Sequence, residues 1–318
     1  MWHTRCKKYL FYLLPLLLLI LIFLFPAQAR NGAKNGLSLW FNVLLPTLLP
    51  FMILSDLIRR LRIIDRLCER ISRKTGKNLY FLYPLLFGLL SGLPLGAKLT
   101  ADAVRNGQLN KKQGQFLLTL CNNCSLMFLT AYVAGDQLQQ PESGLLFLLF
   151  IPLASLLSAI IITIPNPFKN SSRISNKAAY PTRQISAASC SAPVPSDSFI
   201  RSVSGSIMDS FTVLTMVGGY VILFSVLAEF LLQINSLAIL PLVASLEMTT
   251  GIRAVCASSL PPTAKLLLSA AAASFTGFSG IAQTLDVFSG SGLSARAYLL
   301  SRLLSALFTI LLFCTFMT

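Results

Sequence analysis

Lys98 and Arg253 are the side chains in this sequence best suited to hold an anion. Lys98 ends the interrupted apolar run Gly88-Leu89-Leu90-Ser91-Gly92-Leu93-Pro94-Leu95-Gly96-Ala97-Lys98, and Arg253 ends a fainter copy, Leu246-Glu247-Met248-Thr249-Thr250-Gly251-Ile252-Arg253. Gly96 and Lys98 recur as Gly251 and Arg253 at one constant offset. A cation beside a broken helix is costly in lipid and persists there to meet an anion or a water-filled cavity. Glycine and proline at membrane depth free backbone groups that lipid cannot satisfy, so such breaks survive where they line a cavity or a ligand. Paired interruptions at matching positions of two halves point to a transporter's binding site. The competing account of either cation alone is that it snorkels to a headgroup from a helix end.

Neutral groups able to bond a solute stand around these cations. Ser91, Gly92 and Gly96 belong to the first break and Thr249, Thr250 and Gly251 to the second, while Asn122, Asn123 and Ser125, with Thr276 and Ser279, fall inside two further apolar runs. Each set also has a structural reading. Hydroxyls and amides bond across membrane helices, and the spacing of Gly88, Gly92 and Gly96 makes a small-xxx-small packing ladder. Pro94 is what packing alone leaves unexplained. Glu247 is the acid expected deepest in the membrane, either as an ion-coupling group or as a partner for Arg253.

The chemistry that is missing narrows the class. His3 is the only histidine, which removes a Ser-His-Asp triad and a His-ligated zinc site, so no catalytic residue, metal or cofactor is expected and the chain does not read as an enzyme. Cys121-Asn122-Asn123-Cys124 is the only close cysteine pair among seven cysteines, and with no acid or histidine nearby it reads as buried packing. A hydrophobic content of 54%, only 12% charged residues and a mean hydropathy of +0.70 lie outside the range of soluble domains and indicate a multi-pass membrane protein. The formal charge of +15 sits mostly in short loops beside apolar runs, which the positive-inside rule explains without a nucleic-acid partner.

The elements that must position these residues are apolar runs near 37–58, 79–98, 114–135, 143–165, 206–232, 236–256, 264–283 and 298–317, each close to a spanning length. Residues 1–30 read as an uncleaved N-terminal transmembrane helix, with a signal peptide cleaved after Ala27-Gln28-Ala29 as the alternative. The bases of 59–78, of 166–205 and of 99–113 (Arg105, Lys111, Lys112) all favour the cytoplasm. Those signs agree if 79–98 is a re-entrant hairpin bent at the Gly/Pro cluster, and 236–256 a second one entering from the external side. The expected fold is an all-α polytopic membrane protein with two inverted-topology repeats, 31–165 and 201–318, joined by a flexible cytoplasmic linker over 166–200 rich in Ser, Pro, Asn and Ala. The echo of Ser125 by Ser279 supports duplication; the alternative is that small-residue-rich membrane helices resemble one another anyway.

Several of these stretches resemble the sporulation integral membrane protein YlbJ family. They are Gly36-Leu37-Ser38-Leu39-Trp40-Phe41-Asn42-Val43-Leu44-Leu45-Pro46-Thr47-Leu48-Leu49-Pro50-Phe51, Ser91 to Lys98, Asn122 to Ser125, Gly218-Gly219, and Leu246 to Gly251. That family looks like a relative of the nucleoside-recognition or Gate domain of nucleoside transporters. The resemblance implies endospore formation, the outer forespore membrane and transport of dipicolinic acid, whose two carboxylates would suit Lys98, Arg253 and the N–H groups of half-helix N-termini. It departs at Asn122-Asn123-Cys124-Ser125, where the family more often has Asn-Thr-Ser-Asn followed by Pro. A nucleoside or nucleobase is the alternative solute. A scaffold that recruits other sporulation membrane proteins and moves nothing is the alternative class. The expected partners are thus a small anionic metabolite and membrane lipid, with homo-oligomers left open.

Overall fold

The computed structural model describes residues 15–63, 66–67, 70, 80–163 and 196–317. The bulk of the basic loop, the linker up to residue 195 and the first fourteen residues lie outside them. A short apolar helix α1 (Pro15–Leu24) leads into the long α2 (Pro26–Arg60). Within α2 the chain widens to a π-turn over Trp40–Leu44, where the Leu45 N–H bonds the Trp40 carbonyl. Pro46 and Pro50 follow, and a local change of winding is how a helix absorbs prolines without ending.

Next comes the first interruption. α3 (Leu82–Ser91) stops at Gly92, whose φ of 72° is open to glycine and strained for other residues, and α4 (Leu95–Arg105) begins at once. The chain folds back on itself here, because a Cβ added to Gly88 would stand 3.0 Å from the Cα of Gly96. In a continuous helix those two residues would be about 12 Å apart. The expected hairpin is thus present, with arms that reach on to Arg105. α5 (Lys111–Cys121) opens on a capping box between Asn110 and Gln113 and breaks at Asn122. The chain resumes in the π-wound α6 (Phe128–Gln137), followed by α7 (Ser143–Thr163).

The same order recurs after the linker. α8 (Ser196–Leu232) is the long helix, and it takes in the last residues assigned to the linker. α9 (Leu240–Leu246) and α10 (Met248–Ala257) form the second hairpin, turned at Glu247, with Gly251 pressed on Ala244. α11 (Pro262–Phe275) and α12 (Gly277–Phe288) are one helix broken at Thr276, whose φ of 69° is left-handed. α13 (Ala295–Met317) closes the chain. The runs expected as the unbroken crossings 114–135 and 264–283 are therefore both interrupted. Among the described residues there is no strand.

The long helices pair antiparallel, α2 with α8 and α7 with α13. α2 meets α8 with Phe25 against Phe230, the Trp40 indole donating to the Leu214 carbonyl at 2.8 Å and Arg60 paired with Asp209 at 2.6 Å. α7 meets α13 in the same sense, Phe147 against Phe313 and Ser158 against Ser305. Gly32, Gly36 and Gly218 permit the first contact, since a Cβ on any of them would press into α8 backbone or the Trp40 ring. Among the described residues five helices are long and apolar enough to cross a membrane. They leave Leu145, Leu149, Leu303, Leu307 and Leu311 exposed, as lipid-facing surfaces require. The chain is a multi-pass, all-helical membrane protein.

Both hairpins depend on close backbone approach. A Cβ on Gly96 would lie 2.5 Å from the Cys121 carbonyl oxygen, whereas one on Gly219 meets nothing within 4 Å. Gly96→Val is expected to lower the melting temperature of the detergent-purified protein by roughly 5 °C or more. Gly219→Ala should leave it unchanged or slightly raised, because alanine favours the helix.

Candidate functional site

The two hairpin tips and the two helix breaks converge on one buried cavity. Leu93 comes from the first hairpin, Cys124, Ser125 and Phe128 from the α5–α6 break, Glu247, Met248 and Thr249 from the second hairpin, and Thr276, Ser279, Gly280 and Gln283 from α12 and its break. Leu44 and Leu48 of α2 with Val217 and Val221 of α8 close the opposite wall. One face is hydroxyl, amide and carboxylate, and the other is aliphatic. Water can occupy about 30 Å³ of it, room for a molecule or two but not for an aromatic solute, and its lining residues are buried.

Glu247 is the only acid or base among the described residues of that wall, and it is 2% exposed. Its carboxylate caps α10, accepting from the Thr249 N–H at 3.2 Å and the Thr250 N–H at 2.6 Å. A negative group at a helix N-terminus is stabilised by the unpaired N–H groups and the helix dipole. The half-helix end expected to receive a substrate carboxylate is therefore already filled by the chain's own. Beside it the buried Thr249 hydroxyl makes no hydrogen bond of good geometry among the described residues and stands within reach of the Glu247 carboxyl group. Ser279 accepts from the Gln283 amide at 3.1 Å, Ser125 accepts from the Phe128 N–H, and the Thr276 hydroxyl donates to the Phe275 carbonyl.

Asn122 and Asn123 serve the framework instead. The Asn122 carbonyl oxygen takes the Ala97 N–H of the first hairpin at 3.1 Å, and its amide donates to Thr284 and to the Tyr298 hydroxyl at 3.0 and 2.8 Å. The Asn123 backbone carbonyl accepts from the Leu93 N–H at 2.7 Å, and its side-chain oxygen accepts from Ser155 and Arg302. Gly92 and Gly96 lie flat against this break, where a Cβ would strike the Ser125 nitrogen or the Cys121 carbonyl. Ser91 is buried beside them with its hydroxyl unpartnered among the described residues. Thr250 shares a hydroxyl contact with Ser225 of α8 at 3.1 Å, and Gly251 packs on Ala244.

Lys98 and Arg253 are half-buried, and neither lines the cavity. Lys98 comes within electrostatic reach of Asp56 near the end of α2, and Arg253 within reach of Tyr132 on α6. Glu247 makes no ion pair with Arg253. Of the residues singled out in the sequence, the cavity gathers Ser125, Glu247, Thr249, Thr276 and Ser279.

Sequence reasoning missed Arg302. It is wholly buried on α13, donating to Asn123 Oδ1 at 2.8 Å and to the carbonyls of Asn122 and Thr119, with its guanidinium 5.4 Å from the Tyr298 ring centre. The available signal was a charge inside the last apolar run.

Over 315 aligned residues the chain is 26% identical to the sporulation integral membrane protein YlbJ of Bacillus subtilis (strain 168), a similarity spanning 89% of this chain and 76% of that protein. The YlbJ-family resemblance is borne out. It supports a multi-pass membrane protein involved in sporulation. No family model matches the chain, and no solved structure matches it.

The division between framework and cavity is measurable. Asn122→Ala strands the buried Ala97 N–H and removes the amide's bonds to Thr284 and Tyr298, and is expected to cost about 2–4 kcal/mol, read as a large drop in melting temperature. Ser279→Ala removes one cavity-lining hydroxyl and should cost about 1 kcal/mol or less. Equal losses would contradict the division.

Proposed function

We propose that the chain is a transporter used in sporulation, moving a small polar solute through the cavity between the two hairpins. The observation that carries this reading is the convergence of four helix interruptions on one buried polar chamber. A scaffold has no need of that arrangement, whereas binding sites in transporters are built from it. The antiparallel pairing of α2 with α8 and of α7 with α13 supports reading the halves as inverted Gate-like repeats that open the chamber to either side in turn.

Dipicolinate, crossing the outer forespore membrane, is the solute we propose, on the strength of the YlbJ resemblance. Glu247 then carries the coupling. A dianion entering beside an ionised carboxylate would meet repulsion in a medium of low dielectric, so a proton on Glu247 accompanies it. Lys98 and Arg253, outside the chamber, would act along the paths to it. A second reading has its own support: hydroxyls, an amide and a carboxylate suit the sugar and base of a nucleoside better than they suit a dianion.

One assay separates these readings. The purified protein in proteoliposomes is expected to take up labelled dipicolinate faster than empty vesicles and faster than it takes up uridine, with uptake responding to a pH gradient. Glu247→Gln should reduce uptake by about tenfold or abolish its response to that gradient. Uridine flux without dipicolinate flux would favour the nucleoside, and no flux of either under any ion gradient would oppose transport by the protein alone. With Cys124 as the sole cysteine, a small thiol reagent should block uptake only while the protein is turning over, since that buried thiol lines the chamber.

A further inference from the structure

The guanidinium of Arg302 is a cation with no carboxylate against it: among the described residues no ion pair includes it. Desolvating an arginine is expensive and is offset only by good geometry and well-placed acceptors. Its acceptors are Thr119 O, Asn122 O and Asn123 Oδ1, all from the last turn of α5 and the break after it. These are carbonyl oxygens at the C-terminal end of a half-helix, the negative end of its dipole. In transporters built from discontinuous helices, unwound carbonyls and half-helix C-termini of this kind are what coordinate a coupling cation.

We infer that Arg302 is a tethered cation filling an ion site of that type, so that the α5 break is held by a fixed charge and exchanges no sodium or potassium ion during function. The neighbouring bonds give this charge its leverage. Asn123 Oδ1 is shared between Arg302 and Ser155, while the Asn123 backbone carbonyl holds the Leu93 N–H at the tip of the first hairpin. Asn122, whose backbone carbonyl Arg302 holds, presents its side chain to Ala97 on the same hairpin. Arg302 is thus a positioning residue for one wall of the cavity. The ion-site assignment rests on this geometry alone; only its consequence for uptake rests on the transport reading.

The test uses the full-length protein in detergent. Wild type is expected to melt at the same temperature in sodium, potassium and choline chloride at equal ionic strength. Arg302→Ala should melt roughly 5–10 °C lower and regain at least half of that loss in millimolar methylguanidinium, or in sodium relative to choline. Arg302→Lys, which keeps a charge, should melt well above the neutral Arg302→Met. Specific stabilisation of wild type by sodium or potassium would overturn the inference. So would an alanine variant indifferent to every small cation, or a methionine variant as stable as lysine. If the alanine variant does not fold, the lysine–methionine comparison and the wild-type salt series still decide. In proteoliposomes, wild-type uptake should be unchanged when choline replaces sodium. Failure of transport itself would show as absent flux while the melting results stood.

Discussion

Every interruption in this protein has to satisfy, from within, backbone groups that lipid leaves unpaired. A helix broken at membrane depth exposes N–H groups at one new end and carbonyls at the other, each costing several kcal/mol if left bare. The chain meets this demand with a set of side chains that do little else. Asn122 supplies an acceptor to the start of α4, Glu247 supplies two to the start of α10, and Arg302 supplies donors to the end of α5. Remove these, and the breaks would have to close into continuous helices or fill with water. The cavity exists because the breaks are capped.

Glu247 and Arg302 stand out as two buried ionisable side chains, an acid and a base, that do not touch. Each ends a half-helix at the pole its sign favours, the carboxylate at an N-terminus and the guanidinium at a C-terminus. Both come within electrostatic reach of Cys124, which sits between the cavity and the α5 break. A direct ion pair would have neutralised them and left the helix ends bare. Keeping them apart lets each cap its own break and leaves the Glu247 carboxyl group facing the chamber. The polar wall therefore presents an acid to a solute.

The first interruption was legible because Gly92 and Pro94 act locally, one open to a left-handed turn and the other lacking a donor, whereas nothing about Thr276 as a residue type announces the break it makes. The hairpin at Gly92 followed from that rule together with the charge of the adjacent loops. The roles of the polar residues were less readable, because they are set by partners from distant elements. Asn122 joins Ala97, Thr284 and Tyr298, three residues on three helices that no spacing relates to it. Lys98 and Arg253 matched each other in sequence, yet each lies a turn beyond its hairpin tip, where the half-buried face of the helix carries it away from the chamber. Arg302 went unseen because a charge near the start of a terminal apolar run is ordinarily a snorkelling end; only the packing of α13 against α5 and α7 buries it.

The two hairpins are anchored unequally, and this bears on how the chamber can open. The first is joined to the α5 break by two backbone-donor bonds at 2.7 and 3.1 Å, and its glycines lie against that break with no space for a side chain. The tip of the second meets its surroundings through the Tyr132 hydroxyl on the Thr249 carbonyl at 3.3 Å, the Ser225–Thr250 hydroxyl contact and the Cys124–Met248 sulfur contact at 3.5 Å, while its far end is held by the Lys265 ammonium on the Cys256 carbonyl at 2.7 Å. The tip contacts are hydroxyl or sulfur contacts, worth less individually than a buried amide bond. Its own cap, by contrast, is internal: Glu247 bonds the first turn of α10 and would travel with it. Separating the second hairpin from its neighbours therefore leaves its helix end satisfied, whereas separating the first would strand Asn122, Asn123 and the donors they hold. On the transport reading, the direction of least cost for opening the chamber runs along the tip that carries Glu247.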